Sequence, residues 1–300
     1  MCGITGLFLK DKSLQSDLGG LLADMLVTMT DRGPDSAGIA LYGRGTDEQM
    51  KITVQSATPE VDFKGLDTEL ASAISMPVTL SVNNNHAILT TATAATTALR
   101  QALSEVRPDV RVMSSGNNVE IYKEVGLPAA VIERFDISAM SGTHGIGHTR
   151  MATESAVTTL GAHPFSTGAD QCLVHNGSLS NHNILRRELS RDGLQFETEN
   201  DTEVAAAYLT HQMNQGMNLG AALEASLSDL DGFYTFVVGT RNGFGVLRDP
   251  IACKPAVLAE TDQYVAFGSE YRALVNLPDI DSANVWEPEP ATVYFWEHNE

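Results

Sequence analysis

The sequence predicts an α+β protein in which antiparallel β-sheets pack on each other and helices lie outside them. Two observations support this prediction. Strand-like apolar runs occur in pairs joined by tight turns, as in residues 233–238 and 244–247 around Arg241-Asn242-Gly243, and hairpins of this kind build antiparallel sheets. Helical segments lie towards both ends of the chain, where they can cover the outer faces of the sheets.

The first elements of the chain are a strand, a helix and a second strand. Residues 4–9 are a short apolar run, which predicts a buried strand. From Leu18 to Met29 the apolar residues recur at helical spacing, which predicts an amphipathic helix. A loop containing Gly33 and Pro34 follows, and residues 36–42 predict the second strand.

Residues 45–118 differ in amino-acid composition from the rest of the chain and are predicted to form an inserted α/β subdomain. They are rich in Thr, Ala, Ser and Asn. One helical segment at 97–106 lies between two strand-like runs at 78–82 and 110–113. We therefore expect this insertion within a single domain that spans residues 1–300.

Beyond the insertion, strands and helices alternate. The strand at 171–174 runs into His175-Asn176-Gly177, which predicts a turn. Asn200 and Glu203 have the spacing of a capping box at a helix start. The remaining predicted elements are a strand at 145–149, helices at 183–189 and 219–230, a hairpin at 255–259 and 264–267, and a strand at 291–296.

Composition excludes several classes of function. The chain has 19 Lys and Arg against 38 Asp and Glu, a net charge of -19, which disfavours binding to nucleic acid or to anionic membranes. No apolar run approaches the roughly 20 residues of a membrane span, and the N-terminus lacks the basic region of a signal peptide. Three cysteines make no disulfide framework, so we expect a reducing cytoplasm. We predict no metal site.

Cys2 is the first candidate for chemistry. Removal of the initiator Met would leave a residue with both a thiol and a free α-amine, whose pKa of roughly 7.7–8.0 lets it act as a base. One residue would then supply nucleophile and base together, as in N-terminal nucleophile hydrolases. Taken alone, a cysteine at this position is more often an ordinary buried residue of a first strand.

Other residues could complete such a site. Asn176 and Gly177 offer an amide side chain and an unobstructed backbone N–H to a developing oxyanion. Arg150 can hold a carboxylate with two hydrogen bonds, and Asp201 can receive an ammonium group. Each also has an ordinary interpretation, since Asn-Gly is common in hairpin turns and Asp is common at helix starts.

The order of short motifs resembles that of the class II glutamine amidotransferases. Eight segments occur in the family's order between residues 1 and 270: Met1-Cys2-Gly3-Ile4, Arg32-Gly33-Pro34-Asp35-Ser36-Ala37-Gly38, His148-Thr149-Arg150, Ala162-His163-Pro164-Phe165, His175-Asn176-Gly177, Asp201-Thr202-Glu203, Asp231-Gly232 and Gly268-Ser269-Glu270. The segments 121–126 and 145–148 most resemble the amidotransferase of archaeal-type glutamate synthase and the stand-alone subunit of N-methylglutamate synthase-like assemblies.

The resemblance implies a four-layer αββα sandwich and a mechanism. Cys2 would attack the side-chain amide of glutamine, release ammonia and leave a γ-glutamyl thioester, which water then hydrolyses. Its own amine would move the proton, and Asn176 with Gly177 would form the oxyanion hole.

The resemblance also implies roles for four further residues. Arg150 would bind the α-carboxylate of glutamine and Asp201 its α-amine, with Thr153 nearby. Arg32 would buttress the Cys2 loop.

Two functional hypotheses follow. In the first, the chain is a glutaminase subunit without a cofactor of its own, which supplies ammonia to a synthase subunit carrying FMN and an iron–sulfur cluster, with a third, glycine-rich repeat subunit also possible. In the second, it is a catalytically silent structural or regulatory subunit of an N-methylglutamate synthase, where methylamine replaces ammonia. Three features depart from the family: the long insertion, Ala252 in place of a usual Gly, and Glu154 in place of His or Asn.

Overall fold

The computed structural model describes residues 2–152 and 156–298. Sixteen β-strands occur within these residues: β1 (Gly3–Leu9), β2 (Ser36–Tyr42), β3 (Gln49–Gln55), β4 (Thr79–Asn83), β5 (His86–Ala92), β6 (Arg111–Gly116), β7 (Val119–Val125), β8 (His144–Arg150), β9 (Phe165–Gly168), β10 (Gln171–Leu179), β11 (Gly232–Gly239), β12 (Gly243–Arg248), β13 (Val257–Glu260), β14 (Tyr264–Gly268), β15 (Asn284–Trp286) and β16 (Thr292–Glu297).

Eight α-helices accompany these strands in the same ranges: α1 (Leu18–Val27), α2 (Pro59–Asp62), α3 (Leu66–Ile74), α4 (Thr96–Val106), α5 (Pro128–Phe135), α6 (His182–Arg191), α7 (Asp201–Asn214) and α8 (Leu219–Asp229). None of the described helices is long and apolar enough to cross a lipid bilayer.

Two antiparallel sheets form the centre of the molecule. One has seven strands in the order β15-β13-β14-β1-β8-β2-β7, and the other has five in the order β16-β12-β11-β10-β9. Successive residues of a strand point to opposite faces, so Ile4 and Phe8 of β1 reach the core between the sheets. Leu7 and Leu9 of the same strand reach the core under α1 and α5.

The five-stranded sheet is covered on its outer face by α6, α7 and α8, whose apolar side chains form a third core with those of β10 and β11. Helices, two sheets and helices thus stack in four layers. The structure confirms the predicted αββα sandwich, because each sheet buries one face on the other sheet and its second face under helices.

Residues between β2 and β7 form a separate four-stranded sheet in the order β4-β5-β3-β6. Its own core is lined by α3 and α4, with Leu66 and Leu99 fully buried. The helix predicted at 97–106 is α4, whereas β3 and β5 were not predicted. Where this unit leaves the body, the Gly43 N–H donates to the Asn118 carbonyl at 3.0 Å, so β2 and β7 pair up to that point.

Two local predictions are wrong. His175-Asn176-Gly177 is not a turn but part of β10, which pairs in continuous register with β11. The capping box is only half present. Asn200 accepts from the Thr202 N–H at 2.9 Å, but the Glu203 carboxylate accepts from the N–H groups of residues 197 and 198 instead of reaching back to Asn200.

Candidate active site

Cys2 lies directly before β1, at the edge where the central strands of the seven-stranded sheet end. Gly3 pairs with Thr149 on β8, so Cys2 lies beside the end of β8, where Arg150 is the last strand residue. The thiol is partly exposed, and its Sγ lies 4.0 Å from the Met151 carbonyl oxygen. A nucleophile at this place can therefore be reached from solvent.

Two donors from distant elements hold the Cys2 carbonyl oxygen. Arg32 Nε donates to it at 2.9 Å, and Asn176 Nδ2 donates to it at 3.1 Å. Arg32 also pairs with Glu270 at 2.5 Å. The hydrogen bond from Arg32 lowers the pKa of the Glu270 carboxyl. The sequence assigned no role to Glu270, although the Gly268-Ser269-Glu270 motif was the signal that could have revealed it.

Gly177 adopts a conformation that needs a glycine. Its φ is +151°, and a Cβ there would lie 2.0 Å from the Phe233 carbonyl oxygen. Beyond Leu173, β10 has no strand partner on the β9 side within the described residues. The Asn176-Gly177 backbone is therefore held against β11 on one edge while the other edge faces away from the sheet.

Asp201 opens α7, whose N-terminus is beside β10. Its Oδ2 accepts from the Leu179 N–H at 3.0 Å, and its Oδ1 lies 3.6 Å from His175 Nδ1. Burial opposes ionisation, but His175 and the Leu179 N–H outweigh it and lower the pKa of Asp201 to about 2. The start of the helix also favours a negative charge. Asp201 is therefore an anion that can receive an ammonium group.

Arg150 is buried at the end of β8, and its Nη1 donates to the Ala156 carbonyl oxygen at 3.3 Å. The Asp35 carboxylate accepts from the Ala152 N–H at 2.8 Å, which fixes the chain just after Arg150. Thr153, predicted to lie near the substrate, is outside the described residues.

A buried histidine cluster lies behind these residues. His163 Nε2 and His175 Nδ1 lie 2.7 and 3.1 Å from the Thr202 hydroxyl. The ring of His148 stacks on that of His163 with centroids 4.0 Å apart. Burial lowers the pKa of His148 to about 3 and that of His163 well below its usual value, so both rings are neutral at physiological pH. The motifs that contain these two histidines predicted no role for their side chains.

The predicted residues thus meet at one end of the sandwich. Cys2, Arg32 and Asn176 touch directly, Arg150 ends the strand beside Cys2, and Asp201 contacts the backbone of β10. Among residues 2–152 and 156–298, no group of three His, Cys, Asp or Glu side chains could hold a metal ion. The arrangement offers a nucleophile, an amide donor, a cation and an anion, which suits acyl transfer from an amino-acid substrate.

Comparison with known sequences agrees with this chemistry. Residues 148–276 match the model of the glutamine amidotransferase domain. The chain is 68% identical over 298 residues to the glutamine amidotransferase-like protein GlxB of Rhizobium meliloti strain 1021, covering 99% of both chains. It is 34% identical over 309 residues to a protein of Methanothermobacter thermautotrophicus whose name also places it among glutamine amidotransferases, covering 98% of this chain and 99% of the relative.

Comparison with solved structures supports the fold. An allosteric regulatory enzyme of purine biosynthesis aligns with a TM-score of 0.65 at 20% identity. The glutamine phosphoribosylpyrophosphate amidotransferase of B. subtilis aligns with a TM-score of 0.63 at 20% identity. In both cases 99% of this chain covers 47% of the solved chain, so the chain spans less than half of those enzymes. From its full-length relatives and its sandwich fold, the chain belongs to the class II glutamine amidotransferase family.

Proposed function

We propose that this chain hydrolyses glutamine to glutamate and ammonia, with Cys2 as the nucleophile. One observation carries the proposal: Arg32 Nε and Asn176 Nδ2 both donate to the Cys2 carbonyl oxygen, so the residue that bears the thiol lies beside the Asn176-Gly177 segment of β10. An acyl-transfer site needs this juxtaposition of nucleophile and amide donors.

The reaction proceeds through a thioester. The Cys2 thiolate attacks the side-chain carbonyl carbon of glutamine, and the oxyanion is stabilised by the side-chain amide of Asn176 and the backbone N–H of Gly177. The α-amine of Cys2, freed by removal of Met1, takes the thiol proton and passes it to the leaving nitrogen, which departs as ammonia. Water then attacks the γ-glutamyl thioester, releasing glutamate and restoring the thiol.

Two side chains of opposite charge recognise the two ends of the glutamine substrate. Arg150 binds the α-carboxylate, and Asp201, ionised by its environment, binds the α-ammonium. Thr153 completes this group. A substrate that lacks one of these two charges would lose an ionic hydrogen bond to the site and should bind less tightly.

The ammonia is used by a partner, because free ammonia is protonated at neutral pH and is lost to solvent. We propose a cytoplasmic complex in which a synthase subunit with FMN and an iron–sulfur cluster receives it, together with a glycine-rich repeat subunit. The product is glutamate or N-methylglutamate. The resemblance of the central segments to glutamate synthase and N-methylglutamate synthase subunits supports this proposal. Copurification from the native host, with analysis of bound flavin and iron, tests it.

The nucleophile is tested by intact-mass measurement and a glutaminase assay. We expect loss of Met1, ammonia release by the wild type, and a loss of about 10³-fold or more in Cys2→Ala. Cys253 is exposed and has no part in the proposed reaction, so Cys253→Ser is the matched control and should retain full activity. Retention of Met1 would instead support the silent subunit of the second hypothesis, and equal ammonia release by the wild type and Cys2→Ala would show that Cys2 is not the nucleophile.

A further inference from the structure

Lys123 is a buried cation that the proposed reaction does not use. It lies on β7 with 3% of its surface exposed. Its Nζ donates to three carbonyl oxygens, those of Leu160 at 3.1 Å, Ala162 at 2.8 Å and Pro164 at 3.2 Å. A neutral amine has only two N–H groups, so all three bonds together require the ammonium form.

The three carbonyls belong to one segment, and two of them flank His163. The same segment also packs against β2, where Gly38 is the cross-strand neighbour of Lys123 on the same face of the sheet. A Cβ on Gly38 would lie 2.1 Å from the His163 carbonyl oxygen and 2.5 Å from the Lys123 Cβ. The backbone of His163 therefore lies directly on Gly38 and is held there by the ammonium group of Lys123.

The His163 ring connects the elements that carry the predicted substrate-binding residues. It contacts the hydroxyl of Thr202, the neighbour of Asp201, at 2.7 Å. It also stacks on His148, two residues before Arg150, and His148 Nε2 lies 3.1 Å from the carbonyl oxygen of His175, the neighbour of Asn176. A shift of His163 would thus disturb α7, β8 and β10 together.

We propose that Lys123 is a positioning residue of the glutamine site. Its ammonium fixes the backbone on both sides of His163, and the His163 ring sets the relative placement of the residues that hold the two ends of glutamine. This inference rests on the proposed function, because the site that it serves is the glutamine site.

The test is carried out in the Cys2→Ala background, where glutamine binds without turnover. Lys123→Met removes the charge and keeps much of the side-chain length. Lys51→Met is the matched control, because Lys51 forms a 2.6 Å ion pair with Glu120 on a neighbouring surface. Calorimetry measures glutamine affinity, and hydrogen–deuterium exchange follows residues 158–165.

We expect Lys123→Met to weaken glutamine binding about tenfold or more and to speed exchange in residues 158–165, whereas Lys51→Met changes the affinity less than about twofold. Unchanged affinity overturns the proposal even if exchange rises, because Lys123 would then be structural only. If the Cys2→Ala protein binds no glutamine while Lys123→Met still speeds exchange, the proposed function fails and the positioning role fails with it.

A second readout is the pH dependence of glutamine binding. Burial lowers the pKa of Lys123 to about 7, although the charges of Glu203 and Glu197 oppose this shift. Burial also lowers the pKa of His86 and of His163, and the positive charge of Lys123 lowers both further. Loss of the third N–H above this pH should weaken glutamine binding several-fold between about pH 6 and about pH 8.5. A flat profile with Lys123 present overturns the proposal, and the slope should be smaller in Lys123→Met, where the α-amine of residue 2 still titrates in this range.

Discussion

The end of the sandwich that carries the candidate active site and the insertion between β2 and β7 differ in how far apart in sequence their contacting residues lie. The site depends on residues far apart in sequence, since Cys2 and Asn176 are separated by 174 positions and Arg32 and Glu270 by 238. The insertion builds its sheet and a core of its own among nearby residues, and of its buried apolar side chains Met113 reaches the core between the two central sheets. The site therefore requires the whole body to be folded, whereas the insertion can loosen without displacing any proposed catalytic residue.

The sharpest test of this contrast truncates one core leucine in each region. Leu26 and Leu99 are both fully buried, Leu26 under the seven-stranded sheet and Leu99 in the insertion. Each Leu→Ala change removes apolar contacts and leaves a cavity, which costs about 2–5 kcal/mol. We expect Leu26→Ala to lower the unfolding free energy of the body and Leu99→Ala to raise hydrogen exchange in residues 49–116 alone. Loss of glutamine hydrolysis in Leu99→Ala would contradict the independence of the insertion.

A second test compares two asparagines with the same local chemistry. Asn176 Nδ2 donates to the Cys2 carbonyl at 3.1 Å, and Asn83 Nδ2 in the insertion donates to the Phe135 carbonyl at 2.9 Å. Asn176→Asp removes the donor from the proposed oxyanion hole and should lower the kcat of glutamine hydrolysis about 10²- to 10³-fold. Asn83→Asp should leave kcat within about twofold. Similar losses in both variants would show that the effect is not specific to the site.

A third test uses pH. The pKa of Asp201 is lowered to about 2, so the folded state binds its proton less tightly than the unfolded state. Its ionised form therefore stabilises the protein above about pH 4, by about 2 kcal/mol, and this contribution is lost as the pH falls towards 2. Asp201→Asn should be less stable at pH 7 by this amount, and the difference should narrow below about pH 4 in urea unfolding curves.

The matched control for that measurement is Asp109→Asn in the insertion. Asp109 is exposed, and surface changes of this kind usually alter stability by less than about 0.5 kcal/mol. A pH-independent difference between wild type and Asp201→Asn would mean that the carboxylate is not held as the structure indicates.

The smallest expected effect concerns Ala252, which replaces the family's usual Gly. Its φ is +52°, the left-handed region that costs an L-residue roughly 1 kcal/mol. Ala252→Gly should relieve this strain and raise the thermal midpoint slightly. The gain is small because Gly has more conformational freedom in the unfolded chain, which favours unfolding. A lower midpoint would show that the extra entropy of Gly in the unfolded chain outweighs the strain that is relieved in the folded state.

Much of the body was predictable because its signals are local. The apolar run of β1 and the helical spacing of α1 gave these elements close to their observed bounds, and tight turns gave the hairpins β11–β12 and β13–β14. Composition set residues 45–118 apart, but β3 and β5 were not predicted, although Met50, Ile52 and Val54 of β3 alternate with polar residues as in a half-buried strand. The place of Asn176 and Gly177 in β10 was also missed, since only pairing with β11 overrides the turn tendency of Asn-Gly.

The sequence by itself determined the order of elements, the buried faces and the set of chemical groups, including a thiol at residue 2 that processing can expose. Periodicity and residue type depend on neighbours along the chain, so they can be read without a structure. Only the tertiary structure decided which groups meet. Glu270 pairs with Arg32, and Glu203 binds the backbone of residues 197 and 198 instead of Asn200. Lys123 binds the carbonyl groups on both sides of His163. These contacts follow from the register of strands that are far apart in sequence, where one residue of slip would turn every side chain to the other face.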